Sequence, residues 1–248
     1  MNDSSPNAMQ LRLVCGLLAS AARLVPVPLL DDVLREKALQ LMVSRTLKQH
    51  ARTYGSKAVS PLYGDQNGCL HGCIIGLLVL PMKVLIFPVR KFLAWGMAVK
   101  NLARDLSEAV LLGRTLDRIL DANRLPMDAT TESLRADAAR VRLAFSNATA
   151  GTDLTLIRGV LTTALRSVSG LPSAAMRALR GIRSRPDDAD PTASLSSADK
   201  ATVETGAARV SSALETPEMR AFLTRFDETF DENLRLLDER ASAKSPTS

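Results

Sequence analysis

Hydrophobic positions recur along this chain at three- and four-residue steps, interrupted by short polar turns. Leu13, Leu17, Ala21 and Leu24 mark one face of a helix over Met9–Val25. Pro26 and Pro28 end it, because proline cannot continue a helix interior. Leu30, Val33, Leu34, Leu41 and Met42 form the stripe of a second amphipathic helix over Leu29–Thr53, with Asp31 and Asp32 at its start, where negative charge suits the helix dipole. Leu93, Met97, Leu102, Leu106, Ala109, Leu112, Leu116 and Leu120 keep the same period over Phe92–Asn123. Further helices are predicted over Thr130–Asn147 and Asp153–Val168, and a last one after Thr216-Pro217-Glu218, a cap, a first-turn proline and an acid in sequence. Period-two runs rich in Val, Ile, Thr and Tyr are missing. The expectation is an all-α protein, a helical bundle with short antiparallel connections.

One stretch departs from the amphipathic pattern. From Cys69 to Val89 only His71 and Lys83 are ionisable, and twelve residues are Leu, Ile, Val or Phe. As a helix it rises about 30 Å, the thickness of a bilayer's hydrocarbon core. Those twelve favour insertion by about 4–7 kcal/mol, and Lys83 opposes it by up to about 3 kcal/mol. Pro81 removes a backbone donor within the run. Three forms follow: a Pro-kinked spanning helix, a hairpin turning near Pro81-Met82-Lys83, or helices buried in a soluble core. Gly68, Gly72 and Gly76 share one face of such a helix and allow another helix to approach closely. Trp95, beside Arg90 and Lys91, suits a membrane border. Tyr63, in the turn-rich loop Tyr54–Gly68, suits the same border.

These features divide the chain into N-terminal amphipathic helices (1–67), an apolar membrane-associated segment (68–98) and a helical region with a basic face (99–186). A largely disordered linker (187–215) and a separate C-terminal amphipathic helix (216–241) follow. Asp187–Asp199 has linker composition. In the C-terminal helix Phe222, Phe226 and Phe230 fall on one stripe and need a dry partner: the chain's own body, a second copy or another protein.

Charge sharpens this division. The 248 residues carry a net charge of +6, but residues 1–186 hold 25 Lys/Arg against 13 Asp/Glu and residues 187–248 hold 7 against 13. A body of +12 and a tail of −6 imply either attraction within the molecule or a basic face turned to anionic lipid. Leu154–Pro186 contains six arginines and no acid. Arg177, Arg180, Arg183 and Arg185 are the candidates for contact with lipid headgroups. Nucleic acid is a poor fit, since this basic stretch has no aromatic for base stacking and no recognised binding motif.

Composition adds exclusions. Three cysteines, Cys15, Cys69 and Cys73, give no disulfide framework. Cys69, His71 and Cys73 do not converge on a helix, where His71 points away from the two thiols. No phosphate-binding glycine loop, nucleophile elbow or zinc-protease motif occurs. Pro26, Pro28, Asp31, Gln40, Met42, Tyr54 and Gly55 resemble a pattern in a bacterial membrane-domain family found beside or fused to GTPases. Its Gln stands one place late here and its Tyr-Gly several, so the likeness does not identify the chain. The expectation is a non-enzymatic membrane-associated scaffold or adaptor, mostly on the cytoplasmic side. It needs no cofactor or metal, and its partners are a lipid bilayer and either a second protein or a second copy held by the C-terminal helix. A soluble interaction domain that buries the apolar segment is the alternative, and an enzyme with a membrane-facing pocket, built around His50 or His71, is the third.

Overall fold

The structure is a computed structural model that describes residues 6–22, 30–64, 87–168, 170–171, 173–174, 177–178 and 195–244. These residues are all-helical, with no strand among them. The helices are α1 (Pro6–Ala22), α2 (Leu30–Gln49), α3 (Ser56–Val59, followed by a 3-10 turn over Ser60–Leu62), α4 (Phe87–Asp121), α5 (Thr131–Gly151), α6 (Thr155–Arg166), α7 (Ser197–Leu214) and α8 (Pro217–Lys244). Among the described residues no helix is long and apolar enough to cross a membrane.

Local chemistry sets the ends. The Thr130 hydroxyl accepts the Ser133 N–H and caps α5, one position before Thr131. The Thr216 hydroxyl accepts the Met219 N–H at 3.4 Å, with Pro217 the first residue of α8. Helices α2 and α4 finish alike. Ala51 and Asn123 both stand at φ 52°. Arg52 N–H donates to the Leu47 carbonyl and Arg124 N–H to the Ile119 carbonyl, the six-to-one closure of a Schellman motif. Arg52 also donates to the Asn123 side chain at 2.7 Å. The two C-termini therefore lie together and the helices run parallel.

Helices α1 and α4 share the most extensive contact. Helix α1 also meets α2 and α7, and α4 meets α2 and α6, while α5 packs against α3 and α8, and α7 against α6. Helix α1 runs antiparallel to α4 and comes close because Gly16 faces Leu106: a Cβ there would meet the Leu106 Cα at 2.9 Å. Gly206 does the same for α7, since its Cβ would meet the Leu13 side chain at 3.0 Å. The core is mostly Leu, Val and Ala, completed by Phe145, Phe226 and Phe230.

Several readings of the sequence change here. Residues 197–214, expected to be part of a disordered linker, form α7 and bury Val203, Ala207, Val210 and Leu214. Small residues suggest a linker by composition, yet they also permit this close helix packing. The loop Tyr54–Gly68 contains α3 and the 3-10 turn, and its Ala58, Val59 and Leu62 are core residues. Tyr63 is buried in protein, its hydroxyl donating to the Ser56 carbonyl at 3.1 Å, rather than placed at a membrane border. Of the stretch Gly68–Val89, only Phe87, Pro88 and Val89 belong to the described residues, in the first turn of α4. Gly68, Gly72, Gly76, Pro81 and Lys83 lie outside them, as do Cys69, His71 and Cys73.

Candidate functional site

Much of the polar chemistry of the described residues gathers on α4, in three sets of contacts. The first joins α1, α2 and α4. Arg12 leaves α1 and crosses α4 directly over Gly113, where a Cβ would meet its Nε at 2.4 Å. Its guanidinium, almost fully buried, pairs with Asp117. Asp117 also faces His50 Nε2 at 3.1 Å, and His50 Nδ1 faces Asp121 at 3.4 Å. Asp117 and Asp121 are one turn apart and so share a face of α4. His50, just past the end of α2, ties that end to α4.

The second set faces α8 and α5. Arg114 donates to Asp227 through Nε at 3.1 Å and Nη2 at 2.9 Å. Arg118 donates to Asp231 at 2.6 Å and Arg124 to Asp238 at 3.3 Å. Arg140 of α5 also reaches Asp238 at 3.3 Å. Basic residues on α4 thus match acids on α8 turn by turn, and the two helices run parallel. The charge imbalance between body and tail is met in part within the molecule. On a third side, Glu108 accepts from Arg35 of α2 at 2.5 Å and from Arg142 of α5 at 3.5 Å.

The chemical capacity of these groups is narrow. A histidine beside a carboxylate is part of a nucleophile-activating triad, but a base needs a ring nitrogen directed at a hydroxyl or thiol. Both His50 nitrogens face carboxylates. Cys15 is fully buried and its thiol is pushed up to about 12, by burial first and against a smaller opposing pull from Arg45. It stays protonated and inert. No group of three or more His, Cys, Asp or Glu side chains among the described residues is placed to hold a metal ion. A cleft of about 340 Å³ between α5 and α8 is floored by the paired Arg124, Arg140, Asp137 and Asp238. No family model, curated protein or solved structure matches this chain.

The residues singled out from sequence separate into three groups. Phe222, Phe226 and Phe230 come together as expected for one stripe, but their dry partner is the chain's own body, and all three are buried. Phe226 meets Phe145 of α5 edge-on, with centroids 6.0 Å apart and planes at 73°. Docking this stripe on another protein requires it to leave the core. Arg177 makes a two-pronged contact with Asp199, its Nε donating at 2.7 Å, so it is engaged within the protein. Arg180, Arg183 and Arg185 lie outside the described residues. Trp95 sits on α4, among its first turns.

The Arg177–Asp199 contact also seats α7. Ser196, its N-cap, accepts the Asp199 N–H at 3.2 Å and donates its hydroxyl to the Asp199 carboxylate at 2.8 Å. Arg177 first, then the Ser196 hydroxyl, hold the Asp199 carboxyl below the usual carboxylate range. A depressed folded value gives stability that is present above the ordinary Asp pKa of about 4 and is lost as pH falls through the folded value. Thermal melts taken from neutral to acid pH are expected to show a falling Tm. Asp199→Asn is expected to lower Tm at neutral pH and flatten part of that fall; parallel curves for the two proteins would contradict it.

Proposed function

We propose that this chain is a membrane-associated helical scaffold or adaptor without catalytic activity, with the apolar segment Gly68–Val89 as its anchor and most of the chain on the cytoplasmic side. One observation supports the reading above the others. Helix α4 starts at Phe87, within the apolar segment, packs against α1, α2 and α6, and in its later half carries ion pairs to α5 and α8. An anchor at that point holds the whole body through one continuous helix. Glu108 pairs with α2 and α5, Asp117 with α1 and His50, Asp121 with His50, and Arg114, Arg118 and Arg124 with α8, which stiffens the attachment. Arg180, Arg183 and Arg185 are the basic residues left to meet headgroups. The groups around His50 serve as ties between helices, and no reaction is assigned to them.

Membrane fractionation tests this. The protein is expected to pellet with membranes and to resist high-salt and carbonate washes. Leu77→Lys with Leu80→Lys adds about 3 kcal/mol of insertion penalty per site and is expected to move the protein to the soluble fraction. Recovery of the unaltered chain in the soluble fraction without detergent refutes the proposal. That result is the one expected of a second reading, a soluble interaction domain with Gly68–Val89 folded into its core.

A further inference from the structure

Helices α1, α4, α7 and α8 leave a cavity of about 200 Å³ where the α7–α8 turn meets the α1–α4 pair. Three arginines, distant in sequence and each from a different helix, share its walls: Arg12 of α1, Arg114 of α4 and Arg220 of α8. Among the described residues Glu215 is the only acid lining it. Arg12 and Arg114 are held in place by Asp117 and Asp227, and neither of those carboxylates lines the cavity. These pairs fix two cationic side chains along the wall before any ligand arrives, as a preorganised site requires. Arg220 differs, since among the described residues it makes no ion pair, with Glu215 or with any other acid. Glu215 is exposed, so its charge is screened by solvent. Arg12 is buried, where charges act on one another more strongly than in water. The cavity therefore presents positive charge from three sides, and an anion is its complement.

Shape and size narrow the anion. A guanidinium is a planar fork that matches the oxygens of carboxylate and phosphate. A carboxylate sets its oxygens in one plane, whereas the cations here belong to three helices. A tetrahedral phosphate offers an oxygen to each of them. Ser211 of α7 adds a hydroxyl to the same wall. Pockets for drug-sized ligands start at about 300 Å³. This cavity is smaller and excludes a nucleotide, but it has room for inorganic phosphate or a compact phosphomonoester. We propose that the cavity between α1, α4, α7 and α8 binds a small phosphate dianion through Arg12, Arg114 and Arg220. The bound anion ties the start of α8 to the α1–α4 pair. The site is built by described helices alone and does not depend on how the chain meets a membrane.

Thermal melts and titration calorimetry with inorganic phosphate test this on the full chain, in detergent if fractionation places it in membranes. Chloride at matched ionic strength is the reference. Phosphate is expected to raise Tm above that reference, as any ligand of the folded state does. Arg220→Gln, at an exposed position, is expected to keep the helical circular dichroism and to weaken phosphate binding by about tenfold or more. Glu215→Gln removes the one acid on the wall and is expected to tighten binding. Arg225→Gln removes an exposed arginine of α8 that does not line the cavity, and it is expected to leave binding unchanged. No rise in Tm beyond that in chloride overturns the proposal. So does an undiminished response in Arg220→Gln, or a loss in Arg225→Gln as large as in Arg220→Gln, since either makes the effect one of general surface charge.

Discussion

Phe226→Ala is expected to reduce the stability of the folded chain by about 3–5 kcal/mol, the range for truncating a fully buried aromatic side chain. Phe226 has no exposed surface. It fills the seam between α8 and α5, between Phe222 and Phe230 on its own helix and edge-on to Phe145 across the seam. Loss of the ring opens a cavity that the leucines around it fill only partly, and it removes an aromatic pair worth about 0.5–1.5 kcal/mol within that total. Denaturant titration followed by circular dichroism measures the effect. The expected result is one cooperative transition at lower midpoint, because α8 folds with the body. If α8 were a separate module, the transition of the other helices would keep its midpoint and only a small helical signal would be lost early.

The second large effect belongs to Arg12. Its guanidinium is buried over Gly113 and paired with Asp117. Removing one partner of a buried ion pair costs about 3–5 kcal/mol. Asp117 is 29% exposed and keeps His50, so Arg12→Ala is expected at the low end, about 3 kcal/mol. Gly113 supplies an internal check. In the unaltered protein Gly113→Ala forces the Arg12 side chain off its path and is expected to destabilise. In the Arg12→Ala background the three nearest atoms are gone, and the same change is expected to stabilise by up to about 1 kcal/mol through helix propensity. Such a reversal of sign is the signature of direct contact between the two sites. A Gly113→Ala change that stabilises both proteins equally would show that Arg12 does not cross the helix there.

These two sites show how much of the molecule could be read in advance. The Phe222–Phe226–Phe230 stripe and its Thr216-Pro217 start are local signals, and both the helix and its need for a dry partner were legible. Which surface would supply that partner was not, because the choice between Phe145 and a second protein depends on contacts distant in sequence. The opposite charges of body and tail signalled an attraction, but not that Arg114, Arg118 and Arg124 would each find an acid on α8. Nothing local in the sequence joined Arg12, His50 and Asp117, which are distant along the chain. Their union comes from Gly113 and Gly16, whose meaning appears only once α1 lies on α4. Residues 197–214 failed for the opposite reason: the Ala, Ser and Gly that let α7 pack closely are also the composition of flexible connectors.

Helix α4 is 35 residues long, which at 1.5 Å per residue makes a rod of about 52 Å. Its first turn carries the end of the greasy stretch, and its last turns are riveted to α1, α2, α5 and α8. A tilt of about 10° at the Phe87 end would swing the Asn123 corner sideways by about 9 Å on a rod of that length. Were the Phe87 end held in a bilayer as proposed, the rod would act as a lever, and bending or thickness changes at that end would emerge as displacement at the other.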